Sequence, residues 1–207
     1  MNAAHCWWPV TTLLLLCCSP SHGAFPGRPV TGTATQVPLK ELNRLKNRSS
    51  VPTARDIDTR VSLAALSAPG QDRRRWANGR AATIAGYVRS IKVGGVESVN
   101  CSATEPLHRD THIELIGNPL TPDELPVIAE VTPYWRERML EAGVDWSTDR
   151  LRAALLGRWV RITGWLFFDS EHASQSEHTQ SRGAAAWRAT AWEIHPVTSL
   201  EVAEPPR

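Results

Sequence analysis

Three blocks of alternating, β-branched-rich sequence, then a stretch of helical periodicity, then two more blocks of strand character predict a mainly β fold with one helical segment. That order, β-β-β-α-β-β, is the order of an OB-fold-like five-stranded barrel, in which the helix lies between strands three and four. Gly86 and Gly164, in the first and fourth strands, supply the bends that a small, strongly coiled barrel needs. The chain has 207 residues, is 42% hydrophobic and contains nine tryptophans, so a packed core is expected. A net charge of only +2 argues against a strongly basic nucleic-acid coat protein while allowing a local basic patch.

The N-terminus is expected to lie outside the fold. Residues 1–27 contain no Lys, Arg, Asp or Glu, and Val10 to Cys18 forms a short apolar run, VTTLLLLCC. Crossing a bilayer takes about 20 apolar residues in a helix. The shorter run instead fits the centre of a secretory signal peptide over residues 1–23, with small residues at Ser21 and Gly23 marking the cut. Export to the periplasm or the outside follows, and lipid anchoring at Cys17 or Cys18 is the lesser option because Leu16 or Cys17 stands where a small residue is usual. Cleavage would leave Cys101 alone, so no disulfide is expected within one mature chain. No transmembrane span is expected beyond the leader, and a monomer is the expectation.

Residues 24–79 read as an arm or linker, punctuated by Pro26, Pro29, Pro38 and Pro52. Within it PLKELNRLKNR, from Pro38, sets Leu39, Leu42 and Leu45 on one helical face, and DTRVSLAALSAPG, from Asp58, reads as a second short helix ended by Pro69-Gly70. Asn47-Arg48-Ser49 matches the pattern of a glycosylation acceptor.

The OB-like domain is expected over residues 80–203. Its first strand is AATIAGYVRSIKV, Ala81 to Val93, ended by Gly94-Gly95. A polar loop with Cys101 and His108 leads to the second strand, Asp110 to Ile116, and the third runs from Val127 to Pro133. The helical segment comprises YWRERMLEAG and STDRLRAALLG, the latter with Ser147 as N-cap, Asp149 in the first turn and Gly157 as the C′ glycine. The fourth strand is expected over Arg158 to Asp169, and a polar loop, Ser170 to Ala186, follows it. The last strand is expected over Trp187 to Val202, interrupted at Pro196.

The segments GYVRSIKVGGVESVNC, RDTHIEL, EVTP, LLGRWVRITGWLFFDSEH and WRATAWEIHPVTSLEV together resemble an uncharacterised family of exported bacterial proteins with an OB-like domain. The resemblance spans roughly residues 58–202 and implies the barrel and the export. It carries no activity and no catalytic residues.

Candidate chemistry follows from strand alternation. In RDTHIELI, side chains of Asp110, His112 and Glu114 share one face and Thr111, Ile113 and Leu115 the other. Glu193 and His195 repeat the pattern in the last strand. Because strand three lies between strands two and five in an OB barrel, Asp110, His112, Glu114, Glu130, Glu193 and His195 are expected to form a polar stripe across three strands. Two readings stand: a hydrated outer face with cross-strand pairs, or a ligand-binding stripe. OB barrels bind over strands two and three, between the loop joining strands one and two and the loop joining strands four and five. Those loops carry Cys101, His108, His172 and His178, which with His112 are candidate ligands for zinc or another divalent metal, although no spacing of the CxxC or HExxH type occurs.

The function expected from these features is an exported binding or accessory module for an envelope or extracellular ligand, a binder rather than an enzyme on balance, with no cofactor expected. The alternative is a metal-dependent, nuclease-like hydrolase using His, Asp and Cys ligands from the two loops. Basic residues beside aromatics, as in Arg73-Arg74-Arg75-Trp76, Arg158-Trp159 and Trp187-Arg188, allow nucleic acid as a less favoured partner. The tryptophans of the predicted strands, Trp159, Trp165, Trp187 and Trp192, are expected to pack in the core or at the barrel ends.

Overall fold

The computed structural model describes residues 28–70, 72–178 and 186–205. The signal-peptide reading of residues 1–23, with Cys17 and Cys18, lies outside the described residues. Among the described residues no helix is long and apolar enough to cross a membrane.

Five strands close an OB-like barrel in the order β1-β2-β3-β5-β4: β1 (Ala81–Val93), β2 (Thr111–Ile116), β3 (Val127–Val131), β4 (Trp159–Phe168) and β5 (Trp192–Val202). β3 and β5 run parallel, and β1–β2, β2–β3, β4–β5 and the closing pair β1–β4 are antiparallel. The helices α3 (Pro133–Glu141) and α4 (Thr148–Leu155) fill the connection between β3 and β4. The arm contributes α1 (Val37–Lys46) and α2 (Leu63–Ser67).

β1 closes the barrel by pairing twice. Its first half, from Ala81, pairs with β4, its second half pairs with β2, and Tyr87 faces both Trp159 and Ile116. The bend predicted at Gly86 falls slightly later, as an irregularity between Val88 and Ser90 against β2. Gly86 instead permits a close approach, since a Cβ there would sit 3.0 Å from the Leu63 side chain and 3.2 Å from the Leu115 Cβ. Gly164 is a bend as predicted: the register against β5 shifts on both sides of it.

The core follows from the alternation of each strand. Ile84, Val88, Ile113, Leu115, Val127, Ala129, Val131, Ile162, Leu166 and Ile194 turn inward, joined by Trp135 and Trp146 and by Leu151 and Leu155 of α4. Full burial of a side chain of this size contributes about 1.5–3 kcal/mol. Leu63 and Leu66 of α2 join the same core, and Ile57 bridges to Ala81, so the arm is built into the barrel. Gly157 has φ +75 and follows α4 as its C′ residue, as its sequence position predicts, whereas Ser147 makes no side-chain cap bond.

Three expectations change. β5 starts at Trp192, and Trp187 to Ala191 is not part of it. Pro196 does not interrupt β5, which passes through a cis His195–Pro196 peptide. In α1 the predicted leucine face is only half-buried, and the fully buried side chains are Asn43 and Lys46. The helix docks on a polar surface, so its inserted residues are polar. The Asn47 amide donates to the carbonyls of Val30 and Val99, which ties up the nitrogen of the glycosylation pattern.

Candidate functional site

The polar stripe exists, and it is not wet. Asp110, His112, Glu114, Glu130, Glu193 and His195 lie on the face of β2, β3 and β5 that points away from the core. All six are buried, from 8% exposure at His112 to 0% at His195. The hydrated-face reading is therefore corrected. What covers the face is α1, the β1–β2 loop and the segment just before β5.

The cover is fastened by named contacts. The Asn43 amide donates to Ser98 Oγ and to the Thr31 carbonyl. Lys46 Nζ lies 2.6 Å from Glu97 Oε2 and 5.5 Å from the Phe167 ring centre. The Arg48 guanidinium donates to the carbonyls of Leu166 and His195. At the other side, Arg188 pairs with Glu193 at 2.7 Å, and Trp187 packs over His112 at 5.7 Å between ring centres.

Within the cluster the Glu130 carboxylate is the hub. It accepts from His112 Nδ1 at 3.0 Å, and its other oxygen lies 3.4 Å from His195 Nδ1. His195 Nδ1 also faces Glu193 Oε2 at 3.3 Å, while its Nε2 lies 3.9 Å from Asp110 Oδ2. Asp110 Oδ2 accepts from the Asn100 amide at 2.9 Å. Asp110 Oδ1, His112 Nε2 and His195 Nε2 are buried with no hydrogen-bond partner among the described residues.

Burial and neighbouring charge push these groups apart. Burial pushes Asp110 up to about 7, helped by the charge of Glu130 and opposed by that of His195. Burial also favours a protonated Glu130, but the charge of His195 and the hydrogen bond and charge of His112 hold it down to about 2. Burial disfavours the His195 imidazolium, yet Glu130, Glu193 and Asp110 together raise it above the ordinary imidazole value. Glu193 is raised by burial despite Arg188. Burial would strip Lys46 of its proton, but Glu97, Asp169, Glu130 and Glu193 keep it charged.

Above this cluster is a cavity of about 260 Å³, bounded on one side by residues 92–97 and on the other by Asp169, His172, Gln175, Trp187 and Arg188. His112, Glu130 and Glu193 line its protein-side wall. It sits over β2, β3 and β5 between the two loops, which is the location expected of an OB-like binding site.

Of the sequence candidates, Asp110, Glu130 and His195 meet: each offers a ligand atom within 4.8 Å of the other two, a group able to hold a metal ion. His112 and Glu193 contact this group directly, and Glu114 stands apart, paired with Arg89 and Lys92. The loop candidates do not assemble with it. Cys101 ends a 3-10 turn in the left-handed region, His108 closes another, His172 pairs with Asp169 at 2.6 Å, and His178 Nε2 donates to the Ser67 carbonyl. Among the described residues Asp110, Glu130 and His195 form the one such group, so the loop-based metal set is corrected to a strand-based one. Trp192 is a core residue, as expected, but Trp187 stands outside the strands and lines the cavity.

Sequence reasoning missed Lys46, Glu97 and Asn100. Lys46 carried one usable signal, its place on the leucine face of the helix, four residues after Leu42 and seven after Leu39. Glu97 and Asn100, in a loop without periodicity, carried none. No protein-family model matches the chain, and no curated protein matches its sequence. The fold and the site define the class: a closed OB-like barrel whose polar outer face over β2, β3 and β5 is partly roofed by α1 of its own arm.

Proposed function

We propose that the chain is an exported binding module of the OB-like class that captures a small, positively charged ligand in the cavity between the β1–β2 and β4–β5 loops. The observation that carries this reading is the composition of the cavity wall. Glu97, Glu130, Asp169 and Glu193 line a space of about 260 Å³ together with Lys92, His172 and Arg188, and Trp187 presents an aromatic ring at its edge. A ring face attracts cations, and this ring already has the Lys92 ammonium at 5.1 Å and the Arg188 guanidinium at 5.8 Å from its centre, so a cationic ligand would take the place of the half-exposed Lys92. Carboxylates held in a low-dielectric wall attract a cation more strongly than surface acids do. Zinc or another divalent ion belongs to the same ligand class. Export is supported by the apolar run at Val10 to Cys18 and the small residues Ser21 and Gly23 that follow it.

Nucleic acid is the less favoured partner because Glu97, Glu130, Asp169 and Glu193 offset the cations Lys92 and Arg188 in the same wall. A hydrolase drawing its metal from the two loops has no support in the placement of Cys101, His108, His172 and His178.

The test is calorimetric titration of the full chain with putrescine, a compact organic dication. Saturable binding at one equivalent, weakened by Trp187→Ala in a variant that keeps its fold, is the expected result. Absence of heat on a folded chain, or binding that ignores Trp187, sinks this reading.

A further inference from the structure

We propose that the buried group beneath this cavity, which reaches it through Glu130, is a binding site for one divalent cation, coordinated by the Asp110 carboxylate, the Glu130 carboxylate and His195 Nε2. The inference rests on the cavity reading in that the ion is one of the small cations admitted there, and it adds the ligand atoms.

Two independent observations point to it. The first is a pair of buried atoms with nothing to bind. His195 Nε2 and Asp110 Oδ1 have no hydrogen-bond partner among the described residues, and both side chains are almost wholly buried. Leaving a buried polar atom unmade costs about 1–3 kcal/mol. The second is a distance. His195 Nε2 lies 3.9 Å from Asp110 Oδ2, too far for a hydrogen bond. Two atoms bound to one ion at about 2.0–2.2 Å each are separated by that order of distance. One ligand atom from each of the three residues lies within 4.8 Å of the other two, and because Glu130 Oε2 now approaches His195 at Nδ1, the Glu130 carboxylate must turn toward Nε2 to close the site.

The surroundings are those of a supported metal site. Metal-bound histidines usually give their second nitrogen to a carboxylate, which fixes the tautomer. Here His195 Nδ1 faces Glu193 Oε2 at 3.3 Å, leaving Nε2 as the free donor atom. Glu130 is held by His112 Nδ1 through one oxygen, and Asp110 by the Asn100 amide. Each proposed ligand therefore has a partner that orients it.

Two carboxylates and one imidazole suit a first-row divalent ion rather than a thiolate-preferring one. The cavity reaches Glu130 and His112, so water or a ligand atom entering from it can complete the coordination.

The experiment uses the full chain, stripped with chelator and titrated with MnCl2, followed by Mn²⁺ electron paramagnetic resonance and thermal unfolding. Mn²⁺ is chosen because the thiols of Cys6, Cys17, Cys18 and Cys101 compete poorly for it. One equivalent is expected to bind and to raise the unfolding temperature. Changes beside a metal ligand cost about 10–100-fold in affinity, so Glu193→Gln is expected in that range and Asp110→Asn beyond about 100-fold. Asp110→Asn keeps the side-chain shape and is checked for folding by near-ultraviolet circular dichroism. His112→Gln provides a second variant if Asp110→Asn fails to fold, with a 10–100-fold loss expected. No Mn²⁺ binding, or binding unchanged in the folded variants, overturns the inference. Putrescine binding without Mn²⁺ binding would leave the cavity reading standing and remove only the metal site. Mn²⁺ binding that depends on Asp110, with no putrescine binding, would leave the metal site and remove the organic ligand.

Discussion

Lys46 Nζ lies 2.6 Å from Glu97 Oε2, and through this pair a helix of the N-terminal arm reaches the β1–β2 loop of the barrel. The Lys46 side chain is 2% exposed, whereas Glu97 keeps 23%. Burial disfavours the lysine's charge, but Glu97, Asp169, Glu130 and Glu193 raise its pKa well above the usual amine range. One ammonium thus offsets the mutual repulsion of several acids that the fold has gathered on one face.

Lys46→Met is therefore expected to destabilise the protein strongly. Removing the counter-charge of buried ions costs about 3–5 kcal/mol, and here the buried carboxylates of Asp169, Glu130 and Glu193 lose the ammonium that offsets them. Lys92→Met is the control. Its side chain is 51% exposed, and its partner Glu114 keeps Arg89, so a loss of about 0–1 kcal/mol is expected. Denaturant titration at neutral pH measures both, and equal losses would refute the role assigned to Lys46.

The arm is also pinned at Gly32. This residue has φ +54, and a Cβ built there would lie 1.8 Å from the Ser98 carbonyl oxygen. A side chain meets backbone at that point and cannot rotate away. Gly32→Ala is expected to lift the arm locally, with faster amide exchange across α1 and the 98–100 turn and unchanged protection in β4. Unchanged exchange in α1 would show that the arm is held without this contact.

The fold was legible in the sequence where periodicity is enforced by burial. β1 emerges with its predicted bounds, Ala81 to Val93, because one of its faces must meet the core at every second residue. The stripe on β2, β3 and β5 was legible for the same reason, since alternation fixes which side chains share a face. Its burial was not legible. Alternation separates two faces but says nothing of what lies over the outer one, and part of the cover comes from α1, about 65–160 residues before the stripe in the chain. The loop histidines drew attention by residue type alone. Loop backbone has no period to place a side chain: His172 serves a local contact with Asp169, and His178 reaches back across the fold to the Ser67 carbonyl. Trp187 was assigned to a strand because it precedes one, and strand beginnings carry the weakest pattern.

His172 gives a pH dependence. Its hydrogen bond to the Asp169 carboxylate raises the imidazole above its ordinary value, and partial burial opposes this. The folded chain then binds the proton more tightly than the unfolded chain. The stabilisation is complete below the unfolded imidazole value of about 6.5 and is lost as pH rises through the higher folded value. Burial favours a protonated Asp169, but His172, Lys46 and Arg188 hold it well below the usual carboxylate range, so on the acid side the pair weakens only as that carboxylate is protonated. His172→Gln keeps a donor for Asp169 and removes the titration. The stability gap between wild type and variant is expected to be largest below the imidazole value and to shrink as the pH is raised. A gap that stays constant across that range would mean His172 does not carry the charge assigned to it.

Gly164 tests the barrel closure itself. A Cβ built on Gly164 would meet the Pro196 carbonyl oxygen at 2.4 Å, Ile194 Cγ2 at 2.6 Å and the Val197 Cα at 3.0 Å. Two of these are backbone atoms of β5, so no rotamer change relieves them, and the strand must move. That strand carries Glu193 and His195, whose positions set the 3.4 Å approach to Glu130 and the 3.9 Å approach to Asp110. Overpacking of this kind costs about 1–3 kcal/mol. Gly164→Ala is therefore expected to lower stability and also to loosen the acid–histidine cluster, seen as a shift of the His195 ring resonances in a spectrum of the folded variant. Gly79→Ala is the matched control, because a Cβ there meets nothing within 4 Å and its effect is expected within about 0.5 kcal/mol. If Gly164→Ala destabilises the chain without moving the His195 resonances, β5 yields at its far end, and the bend at Gly164 serves barrel closure alone.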